Sequence, residues 1–253
     1  MSLQKIYDDP KLATNNPVLL ALRANTNVDE AIQFLEGKTA VQMRRQSHRP
    51  SENRMAPAGG PAGHYQADLM MLEDYRGVNN MKRMILTILN TTTRFVYARP
   101  IANKKADTVR GAIQSIFDGK YFHGAVVGDG ETNLRKTRPL EDMKTLRVDG
   151  GTEFMNDLKK YLQDKKINLE VSAPYRHGWL SRTNRFHRTL RQRLGEHFAR
   201  KNTHRYVDVF QEILDNYNNT PHSTLKEILR TPQDAPASRY SPDNRYSPCK
   251  HHT

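Results

Sequence analysis

Residues 146–154 read Leu-Arg-Val-Asp-Gly-Gly-Thr-Glu-Phe and decide the fold class of this chain. The residues at 145–148 predict a strand, and Asp149 stands where that strand ends. The two glycines after it are typical of a turn, and residues 153–165 predict a helix. Another strand is predicted over residues 167–171. Strands that alternate with helices in this way indicate a sheet covered by helices.

The segment upstream predicts three antiparallel strands. They cover residues 65–72, 84–90 and 94–99. Residues 91–93 are short enough to join the last two strands as a hairpin, and Pro100 is expected to end the third strand. A helix over residues 104–117 is expected to cross back over the sheet. We therefore predict an α/β fold with a five-stranded mixed sheet flanked by helices.

A long helix after Trp179 is the best-defined element in the sequence. Its apolar residues recur every four positions and form the expected buried stripe: Phe186, Leu190, Leu194 and Phe198. Asn184, Arg188 and Arg191 fall on roughly the opposite face. A further helix is predicted between Tyr206 and Tyr217.

The charge of the chain favours a polyanionic partner. Its 40 Lys and Arg residues against 27 Asp and Glu residues give a formal net charge of +13. Such a charge attracts nucleic acid through counterion release. A ribosome-associated protein or a heparin-binding protein would have the same composition, so charge supports a nucleic-acid partner without specifying the chemistry.

Composition and periodicity divide the chain into four segments. We predict a small helical N-terminal arm and basic linker at 1–55, a Gly/Pro linker at 56–63, the main domain at 64–222 and a Pro-rich tail at 223–253. The basic run at 44–50 suits either a solvated linker or an arm that contacts nucleic acid. Residues 118–143 show no clean period and are interpreted as an insertion or surface loop of unknown role.

Four short motifs in the main domain resemble those of retroviral-type integrase and transposase catalytic cores, in the same order and spacing. They are residues 66–69, 148–154, 172–175 and 184–190. The resemblance spans about residues 64–235 and implies a ribonuclease-H-like core. Residues 202–209 and 217–223 resemble most closely the integrases of Maverick/Polinton-type transposons and of related virus-like elements.

The resemblance implies that Asp68 and Asp149 are catalytic and hold Mg²⁺ or Mn²⁺, since carboxylates bind these hard cations. The family motif Glu-Arg-Phe-Asn-Arg-Thr-Leu carries a third acid about 35 residues after the second Asp, and here Asn184 takes the place of that Glu. An Asn offers one neutral carbonyl oxygen and no negative charge. No Asp or Glu lies between Glu170 and Glu196 to replace it. We expect Asp68 and Asp149 to lie side by side on adjacent strands.

Three interpretations of function stay open at this stage. The first is an integrase-like polynucleotidyl transferase that carries out strand transfer and DNA integration, and the intact Asp68 and Asp149 favour it. The second is a catalytically inactive descendant that only binds nucleic acid, and Asn184 favours it. The third is a structural protein that has recruited the fold, for which the basic, Pro-rich tail would be suitable.

A DNA partner would be held mainly by the long helix. Between residues 182 and 205 the chain has seven Arg and one Lys against one Glu. A solvated basic helix would show the same excess, but the family uses this helix to hold DNA ends. The arginines predicted to contact nucleic acid are Arg176, Arg182, Arg185, Arg188, Arg191 and Arg193.

The remaining expectations concern location and other partners. The single Cys249 excludes a disulfide framework and a Cys-based zinc module within these residues. No apolar run is long enough for a membrane span, and no secretory signal is recognisable. We expect a nuclear or cytoplasmic protein that is not secreted, with no membrane partner and no small-molecule ligand. Homo-oligomer formation stays open.

Overall fold

The structure is a computed structural model, and it describes residues 1–38, 41, 61–123, 126–128, 140–151, 154, 157–172 and 180–222. The N-terminal helices are α1 (Leu3–Asp8), α2 (Pro17–Ala24) and α3 (Val28–Glu36). The elements that follow are β1 (His64–Met71), β2 (Met84–Asn90), β3 (Val96–Ile101), α4 (Ala106–Phe117), β4 (Tyr121–His123), β5 (Val126–Gly128), β6 (Thr145–Val148), α5 (Asp157–Asp164), β7 (Asn168–Val171), α6 (Ser181–Lys201) and α7 (Phe210–Asn218).

The main sheet has five strands in the order β3-β2-β1-β6-β7. The strands β1, β2 and β3 pair antiparallel, whereas β6 pairs parallel to both β1 and β7. This is the mixed sheet of a ribonuclease-H-like core, and the predicted fold class is confirmed.

Helices cover both faces of the sheet. One apolar cluster joins the sheet to α4 and α5 through Val109, Ile113, Leu158 and Leu162. A second cluster joins the opposite face to α6 and α7 through Phe186, Leu190, Leu194, Phe210 and Leu214. Every residue of β2 and β3 is buried as a result. The predicted stripe of α6 is therefore part of the core.

Two local predictions were wrong. Pro100 does not end the third strand, because β3 continues to Ile101. The backbone N–H and C=O groups of Val96 point away from β2, and Pro100, four residues later on this edge strand, has the same orientation. The missing N–H of Pro100 therefore breaks no bond to β2. Residues 118–143 are not irregular throughout, since β4 and β5 form a separate two-stranded ladder. Strands of three residues are too short to show a period.

The N-terminal helices pack together around their own small core, which includes Ile6, Leu20, Ala31 and Leu35. The sequence did not indicate α1, which has six residues and is capped by the Ser2 hydroxyl. The predicted linker at residues 56–60 and the tail at 223–253 lie outside the described residues. Among the described helices, none is long and apolar enough to cross a membrane.

This helical unit docks on α6 and α7. The Arg200 guanidinium donates to the Tyr7 carbonyl at 2.6 Å and lies 4.6 Å from the centre of the Tyr7 ring. The Asn216 amide donates to the carbonyls of Pro10 and Ala13 at 3.2 and 2.7 Å. The N-terminal unit therefore supports the two core helices on the side away from the sheet.

Asn218, at the end of α7, closes the outer edge of the sheet. Its amide group donates to the Val96 carbonyl at 2.9 Å, and its side-chain oxygen accepts the Val96 N–H at 3.0 Å. Both residues are buried. One side chain thus replaces the neighbouring strand that the edge strand β3 lacks.

The substitution Asn218→Ala should lower the free energy of unfolding by about 2–4 kcal/mol, because it leaves two buried backbone groups of Val96 without partners. Urea denaturation measures this. The matched control is Asn219→Ala, since the amide group of the half-buried Asn219 donates to the Asp215 carbonyl of its own helix at 2.8 Å. Equal losses for the two variants would contradict the edge-closing role.

Candidate functional site

Asp68 lies on β1, and Asp149 directly follows the end of the neighbouring strand β6. The last parallel pair between β1 and β6 is Gln66 with Arg147, and each Asp follows its member of that pair by two residues. Both side chains are half-buried. The Asp68 carboxylate accepts the Leu69 N–H at 2.8 Å, and the Asp149 carboxylate accepts the Gly151 N–H at 3.2 Å. The register therefore agrees with the expected side-by-side placement, while metal sharing stays a prediction.

The helix α6 is anchored over β1 at Gln66, two residues before Asp68. The backbone N–H and the hydroxyl of Thr183 both donate to the Gln66 side-chain oxygen, at 3.3 and 3.2 Å. Thr183 and Gln66 are buried, so the bond is shielded from water. Because Gln66 and Asp68 share one face of β1, the first turn of α6 lies on the same face as the Asp68 carboxylate.

Asn184 stands in this first turn and is exposed. Its own N–H donates to the Leu180 carbonyl at 2.9 Å, so its backbone belongs to the helix. Among the described residues, no three His, Cys, Asp or Glu side chains come together as a metal-binding group. Asp68 and Asp149 fit a hard divalent cation by ligand type, but Asn184 adds no third negative charge. Glu153 lies outside the described residues.

Glu196 does not replace the missing acid. It lies twelve residues beyond Asn184 on α6, about 18 Å along the helix axis. Its carboxylate is buried and accepts hydrogen bonds from Gln192 and Arg200. Glu196 also lines a cavity of about 470 Å³ between the N-terminal unit and the later turns of α6. Its partners and position indicate that Glu196 helps to hold α6 and the N-terminal unit together.

His187 is the residue of this site that sequence reasoning missed. The residue is 5% exposed. Its Nε2 lies 2.8 Å from the Thr87 hydroxyl, and its Nδ1 lies 3.7 Å from an Asp68 carboxylate oxygen. Burial, followed by the nearby charge of Arg191, lowers the pKa of His187 to about 4. One feature of the sequence could have identified His187. The family motif has Asn at this position, and the position lies one turn after Thr183 on the inner face of α6.

The arginines predicted to bind nucleic acid divide into three groups. Arg185, Arg188 and Arg191 are exposed, with Arg188 and Arg191 on the Asn184 flank as expected. Arg182 and Arg193 are half-buried on the other flank. The Arg193 guanidinium lies 5.8 Å from the Tyr217 ring centre and donates to the Thr220 hydroxyl at 3.4 Å. These contacts indicate a packing role for Arg193. Arg176 lies outside the described residues.

A second basic group surrounds the start of α6. The Arg94 side chain, which sequence reasoning did not single out, is buried and donates to the Thr91 carbonyl. Burial, and then the charges of Arg182 and Arg185, lower the pKa of Arg94 to about 10. Burial, and then the charges of Arg94 and Arg185, lower the pKa of His222 to about 4. We call Arg94, Arg182, Arg185 and His222 the basic cluster.

The lowered pKa of His222 predicts a pH dependence of stability. Its ordinary value is 6.5, so between about pH 6.5 and 4 the unfolded chain binds more protons than the folded one. The contribution of the neutral His222 to the free energy of unfolding is fully present above pH 6.5 and is lost as the pH falls toward 4. His222→Gln should reduce the dependence of the free energy of unfolding on pH in this window, as urea denaturation across the window measures. An unchanged dependence would contradict the burial of a neutral ring.

Comparison with known proteins gives two relatives by sequence. The chain is 26% identical over 167 residues to a transposon-derived protein of Caenorhabditis elegans, covering 66% of this chain and 50% of that protein. It is 31% identical over 128 residues to the retrovirus-related Pol polyprotein from transposon 412 of Drosophila melanogaster, covering 49% of this chain and 9% of the polyprotein. The chain thus spans half the length of one relative and a small part of the other. No family model matches it.

Among solved structures, the chain is similar to the catalytic core domain of BIV integrase. The sequence identity is 17% and the TM-score 0.48, with 68% of this chain and 91% of that domain covered. By sequence this chain is similar to transposon-derived proteins of two animals, and its own strand order is that of a ribonuclease-H-like core.

Proposed function

We propose that the chain is an integrase-like polynucleotidyl transferase that acts on DNA, and that Maverick/Polinton-type elements are its nearest relatives. The observation that carries this proposal is the anchoring of α6 by Gln66 on the strand that bears Asp68. This contact brings a helix with an exposed basic flank over the central strand β1, which bears Asp68 and whose parallel neighbour β6 ends directly before Asp149. The similarity to transposon-derived proteins supports the same conclusion.

The two aspartates suit metal-assisted phosphoryl transfer by ligand type. A bound Mg²⁺ or Mn²⁺ would neutralise the charge that builds on the phosphoryl oxygens. Asp68 and Asp149 would hold it, since each already has one carboxylate oxygen oriented by a backbone N–H. Asn184 supplies no charge at the third position. The loss of about 3–4 kcal/mol of transition-state stabilisation would slow strand transfer by about 10²–10³.

DNA binding depends on the exposed side of α6. Arg188 and Arg191 lie one and two turns beyond Asn184 on the flank that borders the carboxylates, where the phosphates of a bound strand would lie. The basic cluster offers a second reason to expect a polyanion. After burial, the charges of Arg182 and Arg185 are a cause of the lowered pKa of Arg94, and a phosphate placed among these three guanidinium groups would relieve their repulsion.

Asn184 favours a second candidate function, which is DNA binding without catalysis. Binding requires the arginines of α6, and none of them depends on a carboxylate at position 184. The two candidates differ in one measurable property, namely divalent-metal-dependent strand transfer.

The substitution Asn184→Glu should raise strand transfer by about 10²–10³ over the unmodified chain in Mg²⁺ or Mn²⁺. The added carboxylate would supply the missing charge from a helix already in place. The free energy of unfolding should change by less than about 0.5 kcal/mol, because position 184 is exposed. A strand-transfer assay with radiolabelled DNA ends measures the rate.

The matched control for this experiment is Ala199→Glu, which adds the same charge to an exposed position near the other end of α6. It should leave the rate unchanged. No gain from Asn184→Glu would leave DNA binding as the function. Rapid strand transfer by the unmodified chain would show that the third carboxylate is dispensable.

Replacing Arg188 and Arg191 together by Ala should weaken binding to any duplex sequence. It should also reduce the slope of log affinity against log salt by about two, since each arginine is taken to neutralise one phosphate. Fluorescence anisotropy at several salt concentrations measures the slope.

The matched control for the arginines is the double substitution of Lys159 and Lys160 by Ala. Both lysines are exposed on α5, which covers the opposite face of the sheet. This pair removes the same charge and should leave the slope nearly unchanged. Equal slopes in both double variants would move the DNA surface away from α6.

A further inference from the structure

His187 faces Asp68 across a short gap in the candidate site. The ring Nδ1 lies 3.7 Å from the carboxylate oxygen Oδ2 of Asp68. This separation exceeds the usual N–H···O hydrogen-bond distance of about 2.7–3.2 Å. The ring is buried, and the carboxylate is partly exposed to solvent.

The hydrogen bonds of Thr87 determine which ring nitrogen carries the proton. We assign the proton of the Thr87 hydroxyl to the backbone carbonyl of Asp68 at 3.0 Å, because that carbonyl can only accept a hydrogen bond. The hydroxyl can therefore only accept from His187 Nε2, which lies 2.8 Å away. The neutral ring is thus protonated on Nε2, and its Nδ1 presents a lone pair toward the Asp68 carboxylate.

Two electron-rich atoms that face each other at this distance suit a cation between them. Nitrogen and oxygen ligands lie about 2.0–2.2 Å from a first-row transition-metal ion, so two ligands at tetrahedral or octahedral angles are separated by about 3.0–3.5 Å. The observed 3.7 Å is within a few tenths of an ångström of that range. A ligand His also usually donates its other N–H to a fixed acceptor, and Thr87 supplies one here.

We propose that Asp68 Oδ2 and His187 Nδ1 are two ligands of one transition-metal ion, with the other coordination positions left for solvent or DNA phosphate. This inference rests on the proposed function and names the kind of metal that the site takes. An imidazole nitrogen is a good ligand for Co²⁺ or Zn²⁺ and a poor one for Mg²⁺, which prefers oxygen. The imidazole stands one turn beyond Asn184 and turns inward, so it partly offsets the missing carboxylate.

The test is a pair of calorimetric titrations, with Co²⁺ and with Mg²⁺, on the full chain and on His187→Asn. The variant places the Asn of the family motif at this position. It should bind Co²⁺ at least about tenfold more weakly, which is the lower end of the affinity loss expected when residues around a bound metal are replaced. Its Mg²⁺ affinity should change much less. In the full chain, Co²⁺ binding should also produce visible absorption typical of mixed nitrogen and oxygen ligands.

The matched control is His197→Gln, which removes another buried histidine of the same helix. The His197 ring lies away from Asp68, with Nε2 3.3 Å from the Arg205 carbonyl. This control should keep the Co²⁺ affinity of the full chain. Equal Co²⁺ affinity in the full chain and in His187→Asn would overturn the proposal, as would the absence of Co²⁺ binding to the full chain.

A second measurement covers the case in which His187→Asn fails to fold. In the full chain labelled with ¹⁵N at histidine, added Zn²⁺ should shift the Nδ1 resonance of His187, while Nε2 keeps its proton for Thr87. An unshifted Nδ1 resonance would overturn the proposal. DNA binding is measured on the same samples with a metal chelator present. Equal Co²⁺ affinity in the full chain and in His187→Asn, together with intact DNA binding, overturns this inference alone. Co²⁺ binding that depends on His187, without DNA binding, overturns the proposed function alone.

Discussion

The position of α6 on the sheet is the constraint on which the site depends. Two buried polar contacts set it: Thr183 bonds to Gln66 on β1, and His187 bonds to Thr87 on β2. Buried polar groups are costly when they lose their partners, so the helix cannot slide or rotate without breaking both contacts. Asn184 is therefore held beside the face of β1 that carries Asp68. The exposed arginines Arg188 and Arg191 of the same helix are held next to Asn184.

The opposite side of α6 is supported by the N-terminal helices and by α7. Arg200 stacks on Tyr7, and Asn216 bonds to two carbonyls of the N-terminal unit. At the far edge of the sheet, Asn218 provides the bonds that a further strand would make. The basic helix is thus clamped between the sheet and a second layer of helices.

Most of the architecture could be predicted from the sequence, because the spacing of apolar residues differs between strands and helices. The β2 strand and the stripe that runs from Phe186 to Phe198 agree with the structure closely. The failures have local physical causes. Pro100 is tolerated because β3 is an edge strand, and the three-residue strands β4 and β5 are too short for any period to appear.

The sequence by itself determined the mixed sheet, the strand positions of Asp68 and Asp149 and the Asn at position 184, since these follow from local pattern and from motif order. Only the tertiary structure decided the partners of individual side chains. His187 meets Thr87 across 100 residues of sequence, Arg193 packs on Tyr217, and the buried Arg94 lies near the start of α6. The spacing of apolar residues along a helix shows which residues face the core, but it does not show which atoms those residues contact. Hydrogen bonds between residues far apart in sequence depend on how the elements pack together, so only the folded chain reveals them.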